Sequence, residues 1–392
     1  MRRIETAERR ARIGVRQGLA PERRAADAVQ AARCVVCLHA TDPATVYLSA
    51  WARLEPAEFE ALARALYVDR TLLRMLAMRR TLFVVPTEEA PVLQAAASLG
   101  VARVERRRNA QLAEMLAVRD PLAWLQAAET ATLEALDGMG EATAAELSRA
   151  VPALSQKVRT NIGKRYEGTI GMSSRVLIVL ALEGRIVRAE PRGTWVSSQY
   201  RWTTMERWLG EPLPVLDEDD ATARLVERWL AQFGPGTEAD LRWWSGLAAR
   251  AIRSALARIG AEEVELEEEA KVGYVLPGDV DATPMPESWV ALLPSLDPTT
   301  MGWRDRAWYL ADHQPLLFDT AGNAGPTIWV DGRVVGGWAI RAGGEVVTAL
   351  LEDVGGDAEL AVEAEAARLS MQLGSSRVFP RFPTPLFGRP LG

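Results

Sequence analysis

Lysine is almost missing from this chain. Of its 46 basic residues only Lys157, Lys164 and Lys271 are lysines, which leaves little choice for an enzyme that needs a desolvated amine as nucleophile. Cysteine is as scarce, and two residues, Cys34 and Cys37, cannot build a disulfide framework. Histidine is limited to His39 and His313. One isolated Cys-x-x-Cys and two distant histidines do not supply the ligands of a closed zinc site, so neither a metal nor any other cofactor is expected and the cysteines read as small core residues. No run approaches the ~20 apolar residues of a membrane helix. Charged residues fill the opening MRRIETAERRARIGVRQ, where a secretory signal would be apolar, so export is not expected and a cytoplasmic location is. The P-loop, G-x-S-x-G and H-E-x-x-H motifs are absent.

What is present is ordinary globular material: 392 residues, 48% hydrophobic and 25% charged, enough for two to four modules. The net charge is −6, but it is unevenly spread. Residues 1–110 hold 19 Arg, no Lys and 12 Asp or Glu, a charge of +7, so the remaining 282 residues carry −13. A basic first third on an acidic body suggests an anionic partner. The arginine fork suits phosphates and base edges, although high genomic GC content also enriches arginine over lysine.

Patterning predicts helices over 23–38, 43–52, 56–67 and 91–115, with a strand in 72–86 stopped by Pro86. Asp42 before Pro43 marks a helix start. A second unit begins with helix 121–136, then a short helix 142–150, a loop 153–172 and helix 173–184 ending at Gly184. Two β-type runs follow around Pro191-Arg192-Gly193. A third unit repeats the order: helices 220–233, 237–245 and 247–260, the last again ending in Gly, then a hairpin of AEEVELEEE and KVGYVLP. Helix, short helix, Gly-ended helix and hairpin form a winged helix, and its recurrence about 80 residues later strengthens the reading. The first 90 residues fit the plan more loosely. Residues 289–353 alternate as strands joined at Asp331-Gly332 and Gly343-Gly344, which are hairpin turn signals. Helix 357–373 and an irregular Pro-rich tail close the chain. The class is α+β, mostly helical.

At this point the chain resembles the winged-helix DNA-binding family that includes the AlkZ and YcaQ bacterial DNA glycosylases. The resemblance runs through WARL (51–54), AMRRTLFVVP (77–86), MSSRVLIVLALEGRI (172–186) and PRGTWVSSQYRW (191–202). It continues in FGPGTEADLRWWSGL (233–247), LLPSLDPTTMGWRDR (292–306) and GPTIWVDGRVVGGW (325–338). It implies three tandem winged helices around a DNA-sized channel, at 1–90, 91–210 and 211–286, and a C-terminal β domain with a closing helix at 287–392. It also implies a monomer acting on duplex DNA that carries alkyl adducts, located with the nucleoid. The family's Gln-x-Gln or Gln-x-Asp signature falls here on His39-Ala40-Thr41.

His39 and Thr41, two apart in an extended segment, face one side and can share one water or one sugar. A neutral His can take a proton from that water, and Thr41 can orient it. The alternative is a hydrogen-bonded core histidine. Asp42 either stabilises a developing oxocarbenium or caps the next helix. Lys157, Arg159, Lys164 and Arg165, with Asn161 and Tyr166, form a phosphate-contacting or merely solvated loop. Arg192 and Arg201 stand on a wing that can enter a groove, and Arg79 and Arg80 are further DNA-binding candidates. Arg103 and Arg106 to Arg108 read as a solvated helix face. Asp297, Arg304, Asp305 and Arg306 read as an internal ion-pair region or as neighbours of the site, and the tryptophans as core.

The expected function is that of a monofunctional DNA glycosylase excising bulky cationic N7- or N3-alkylated purines. Family members in producers of DNA-alkylating natural products serve self-resistance, a role on which the sequence itself is silent. A non-catalytic DNA-binding or adduct-recognition protein is the alternative. A crosslink-unhooking enzyme of the YcaQ type is disfavoured because Thr41 stands where that branch has an acid.

Overall fold

The computed structural model describes every residue except 166, 268–270, 342, 375, 377, 379–380 and 389–392. Tyr166 therefore lies outside the described residues. The chain divides into two compact units: Met1–Leu72 with Phe83–Thr87 and Thr222–Gly392, and Leu73–Leu82 with Glu88–Ala221. It is a mixed α+β structure, and no described helix is long and apolar enough to cross a membrane.

In the first unit, Pro43–Trp51 is a wholly buried helix that starts where Asp42 and Pro43 predict. The helix expected over 23–38 is only Ala28–Arg33. The Asp27 carboxylate accepts from the Gln30 N–H at its start, and Val36, at φ +64°, ends the helical path. Cys34 and Cys37 therefore sit in a turn that leads into the short strand Leu38–His39. That strand pairs antiparallel with Phe83 and Val84. Several elements were not expected, among them the helix Thr6–Arg16 and the strand Arg2–Ile4, which lies parallel to Glu262–Leu266. Ile4 packs there with Val264, Leu266 and Val275.

Helices Glu238–Ser245 and Ala249–Arg258 precede the hairpin Glu262–Leu266 and Lys271–Val275. A capping box between Thr237 and Asp240 starts the first, and Gly260, at φ +67°, follows the second. Gly236 must lack a side chain, since a Cβ there would lie 2.2 Å from the Trp229 ring. The expected β region is a four-stranded antiparallel sheet in the order Val290–Leu293, Thr327–Val330, Arg333–Ile340, Val346–Leu350. Asp331 and Gly332 both take positive φ, as a tight hairpin turn requires. Helix Gly356–Leu373 packs on the sheet. Trp303, Trp308, Tyr309 and Trp329 make a continuous aromatic core.

The second unit contains helices Leu99–Glu114, Pro121–Met139, Ala144–Ala150 and Met172–Leu182, then a hairpin of Ile186–Pro191 and Tyr200–Thr204. Gly184 again stands at φ +67° between helix and hairpin. Three expectations change. The strand 72–86 is two strands, Leu72–Leu76 and Leu82–Pro86, separated by a turn in which Arg79 and Arg80 both take positive φ. Helix 91–115 is interrupted by a π-helical turn at Gln94–Ser98. The loop 153–172 contains a hairpin, Lys157–Thr160 with Gly168–Gly171. Its residues are mostly exposed apart from Val158, so it lacks the apolar alternation that marks a strand in sequence.

Candidate active site and basic surface

The candidate site begins at the strand Leu38–His39. Leu38 and Ala40 are fully buried, whereas His39 and Thr41 are half-buried. The two polar side chains thus alternate with two apolar ones. The His39 ring meets Phe83 edge to face, with centroids 5.4 Å apart.

Asp42 closes the segment and is 7% exposed. One of its oxygens, Oδ1, accepts from the Ala44 N–H at 3.1 Å, and Oδ2 from the Arg381 N–H at 3.4 Å. Burial raises its pKa above the usual carboxylate range, opposed by these hydrogen bonds and by the Arg381 charge. Beside it lies a cavity of about 20 Å³, lined by Asp42, Thr45, Leu48, Ser295, Trp338 and Val378 among others. Small-molecule pockets measure ~300–1,000 Å³, so this cavity does not admit a base. The geometry is that of a helix cap.

The helix behind Asp42 is locked from the far side. Arg53 and Asp297, both 0% exposed, form a bidentate pair at 2.8 and 2.9 Å. Ser49 Oγ donates to Asp297 at 2.6 Å, and Arg53 donates to the Ser49 carbonyl and to Thr299 Oγ1. Thr299 Oγ1 in turn donates to Gln17. Thr45 Oγ1 donates to the Ser295 carbonyl at 2.8 Å. The sequence marks Asp297 for an internal ion pair, but its partner, Arg53, lies 244 residues away. Asp305 pairs with Lys271, and Arg306 lies over the Trp243 and Phe318 rings. The Arg304 N–H donates to Asp240. Burial raises the pKa of both cysteines, which makes them poor thiolates.

His39, Thr41 and Asp42 belong to the first unit, and all eight basic candidates belong to the second. Lys157, Arg159, Lys164 and Arg165 are exposed on one hairpin. Arg159 is paired with Glu167, whose carboxyl is held low first by the Gly163 N–H and then by Arg159. Arg192 and Arg201 are exposed on the second hairpin, and Arg201 contacts Glu141 at 3.4 Å. Arg79 and Arg80 project from their turn, with Arg80 3.3 Å from Glu105.

The helix face expected at 103–108 is solvated at Arg103, Arg107 and Arg108, and three of its four arginines also make ion pairs. Arg106 bridges Glu129 and Glu183, Arg108 pairs with Glu105, and Arg103 with Glu218. Much of the +7 of the first third is neutralised in this way; Arg12, Arg16 and Arg53 are likewise paired with Asp279 and Asp297. The second unit also holds a cavity of about 420 Å³, but none of the predicted site residues lines it. Arg381 carries no local signal in sequence: it is one of two arginines, with Arg389, in the irregular Pro-rich tail.

Against this geometry the comparisons agree. The DNA glycosylase AlkZ-like family model matches residues 32–371. A relative described as an interstrand DNA cross-link repair glycosylase, from Streptomyces sahachiroi, is 26% identical over 335 residues, covering 79% of this chain and 81% of that protein. The solved structure of Streptomyces sahachiroi DNA glycosylase AlkZ shares the fold, with a TM-score of 0.72 and 23% identity over 98% of this chain and 99% of the other. With most of its length matched in this way, the chain belongs to the AlkZ-like family of DNA glycosylases.

Proposed function

We propose that this glycosylase hydrolyses the N-glycosidic bond of cationic N7- or N3-alkylated purines in duplex DNA, with His39 and Thr41 acting on the attacking water and the sugar. The observation that carries the reading is the half-buried pair His39 and Thr41, set between buried Leu38 and Ala40 at the entrance to a capped and locked helix. Water adds to C1′ as the C1′–N bond breaks. His39 takes the proton that the water loses, and Thr41 orients the water by hydrogen bonding. The electrons of the broken bond stay with the base, which leaves neutral because alkylation had made it cationic. Neither His39 nor Thr41 carries a fixed negative charge, so the oxocarbenium receives little electrostatic help from them. The leaving group must then be activated beforehand. Against the sequence expectation that Thr41 disfavours cross-link unhooking, the relative's description as an interstrand DNA cross-link repair glycosylase supports including interstrand cross-links through such purines in the substrate class.

The same reading takes Asp42 as the cap of the helix rather than as a chemical participant. The chemistry is monofunctional: Lys157 and Lys164 are exposed and Lys271 is paired with Asp305, so none is a desolvated amine. Residues 91–210 and 211–286 are taken as winged helices, supported by the shared order of helices, a glycine at φ +67° and a hairpin. Residues 1–90 make the third, 287–392 the β domain, and the three line a DNA channel. The exposed cations at 79–80, 157–165, 192 and 201 contact phosphates. The protein acts as a monomer on nucleoid DNA.

The test is single-turnover excision from one duplex carrying N7-methylguanine. His39→Ala should slow release ~10²–10⁴-fold with DNA affinity little changed, and Thr41→Ala should slow it less. Equal rates for wild type and His39→Ala would remove His39 from the mechanism. Excision of uncharged uracil at a similar rate would remove the requirement for a cationic base.

A further inference from the structure

The family match ends at residue 371, and the chain continues for another 21 residues. Beyond the end of the closing helix at Leu373, the described part of this tail is not regular structure, yet it is anchored. Val378 and Thr384 are each 6% exposed, and the Leu386 N–H donates to the Leu316 carbonyl at 3.0 Å. Thr384 sits so close to Gly325 that a Cβ there would lie 2.4 Å from its methyl group. Val378 lines the small cavity beside Asp42. Between these anchors the exposed Arg381 turns back onto the candidate site. Its Nη1 donates to the Thr41 carbonyl at 2.9 Å, and its backbone N–H donates to Asp42 Oδ2 at 3.4 Å.

We propose that Arg381 is a positioning residue for excision: from the C-terminal tail it fixes the Thr41 carbonyl and the Asp42 carboxylate, and so holds the His39-Ala40-Thr41 segment in register with its substrate. The Thr41 carbonyl lies outside the helix that starts at Pro43, so no helical N–H restrains it. Asp42 holds the first helical turn with one oxygen and the tail with the other. Arg381 therefore bridges the two residues that set the direction of the Thr41 side chain. A displacement of ~1 Å at a reacting group can cost ~10²-fold in rate. The inference rests on the proposed role of His39 and Thr41.

The test compares full-length wild type, Arg381→Ala, Arg381→Gln, Arg381→Lys and His39→Ala on one N7-methylguanine duplex. Single-turnover rates are measured at saturating protein, with Kd and melting temperature measured in parallel. The expected result is a ~10–100-fold slower excision for Arg381→Ala and Arg381→Gln, with Kd within ~2-fold and melting unchanged because the side chain is exposed. Arg381→Lys should recover part of the rate, since its longer side chain keeps a charged donor within reach of the carbonyl, whereas the shorter glutamine amide falls short of it. If His39→Ala is slow but both neutral Arg381 variants match wild type, the positioning role is wrong. A loss confined to Kd would make Arg381 a phosphate contact and equally overturn it. If neither His39→Ala nor Arg381→Ala slows excision, the site reading falls and takes this proposal with it.

Discussion

Removing Asp297 should unfold the first unit far more readily than its distance from the candidate site suggests. Its carboxylate accepts two bonds from Arg53, one from Ser49 Oγ and one from the Thr299 N–H, all between 2.6 and 2.9 Å. In Asp297→Ala those donors lose their acceptor, and the Arg53 guanidinium stays 0% exposed with no counter-charge. Breaking one side of a buried pair costs ~3–5 kcal/mol. For a unit of this size each kcal/mol moves the melting temperature by ~2–4 °C. The expected drop is on the order of 6–20 °C, read as the shift of one transition in differential scanning calorimetry. The double variant Arg53→Met with Asp297→Leu removes both charges together and should recover most of the loss, because an apolar replacement of a buried pair is often neutral or stabilising. A single variant melting within ~2 °C of wild type would refute this reasoning, as would a double variant no better than the single.

Two further outcomes follow from the site and the basic hairpin. Asp42→Asn keeps a good capping side chain and removes a carboxylate whose folded pKa is raised by burial. A raised folded pKa means that the stability present below the unfolded value of ~3.9 is lost as pH rises through the folded one. The variant should therefore match wild type near pH 3, equal or exceed it at pH 7 in urea melts, and retain excision within a few-fold. A large loss of excision with unchanged melting would make the carboxylate a chemical participant. For DNA binding, Lys157→Ala with Lys164→Ala should weaken affinity alike on unrelated duplexes and flatten the slope of log K against log salt by ~0.9 per lost phosphate contact. An unchanged slope would take the hairpin off the DNA.

Much of the architecture was legible from local signals. Asp42-Pro43, Asp331-Gly332 and the Gly-ended helices at 184 and 260 each mark a boundary by chemistry contained within a few residues. The hairpin at 157–171 escaped because it buries little apolar surface and so carries no alternation. The helix over 23–38 shortens at both ends: Asp27 caps it at Ala28, and it stops at Arg33 before Val36, whose positive φ is unusual for a β-branched residue. The family signature located His39-Ala40-Thr41, and the alternation of period two put both polar side chains on one face.

What sequence alone could not supply is partnership across long separations. Arg2–Ile4 finds its parallel strand at Glu262–Leu266, Arg53 finds Asp297, and Arg381 returns to Thr41. The basic first third keeps its net charge in sequence, but folding pairs Arg12, Arg16, Arg53 and Arg106 with acids, most of them far along the chain. Composition fixes how many charges there are and local pattern fixes where helices begin. Which charges reach solvent, and which backbone carbonyl a tail arginine holds, depends on the close packing of segments that no short-range preference brings together.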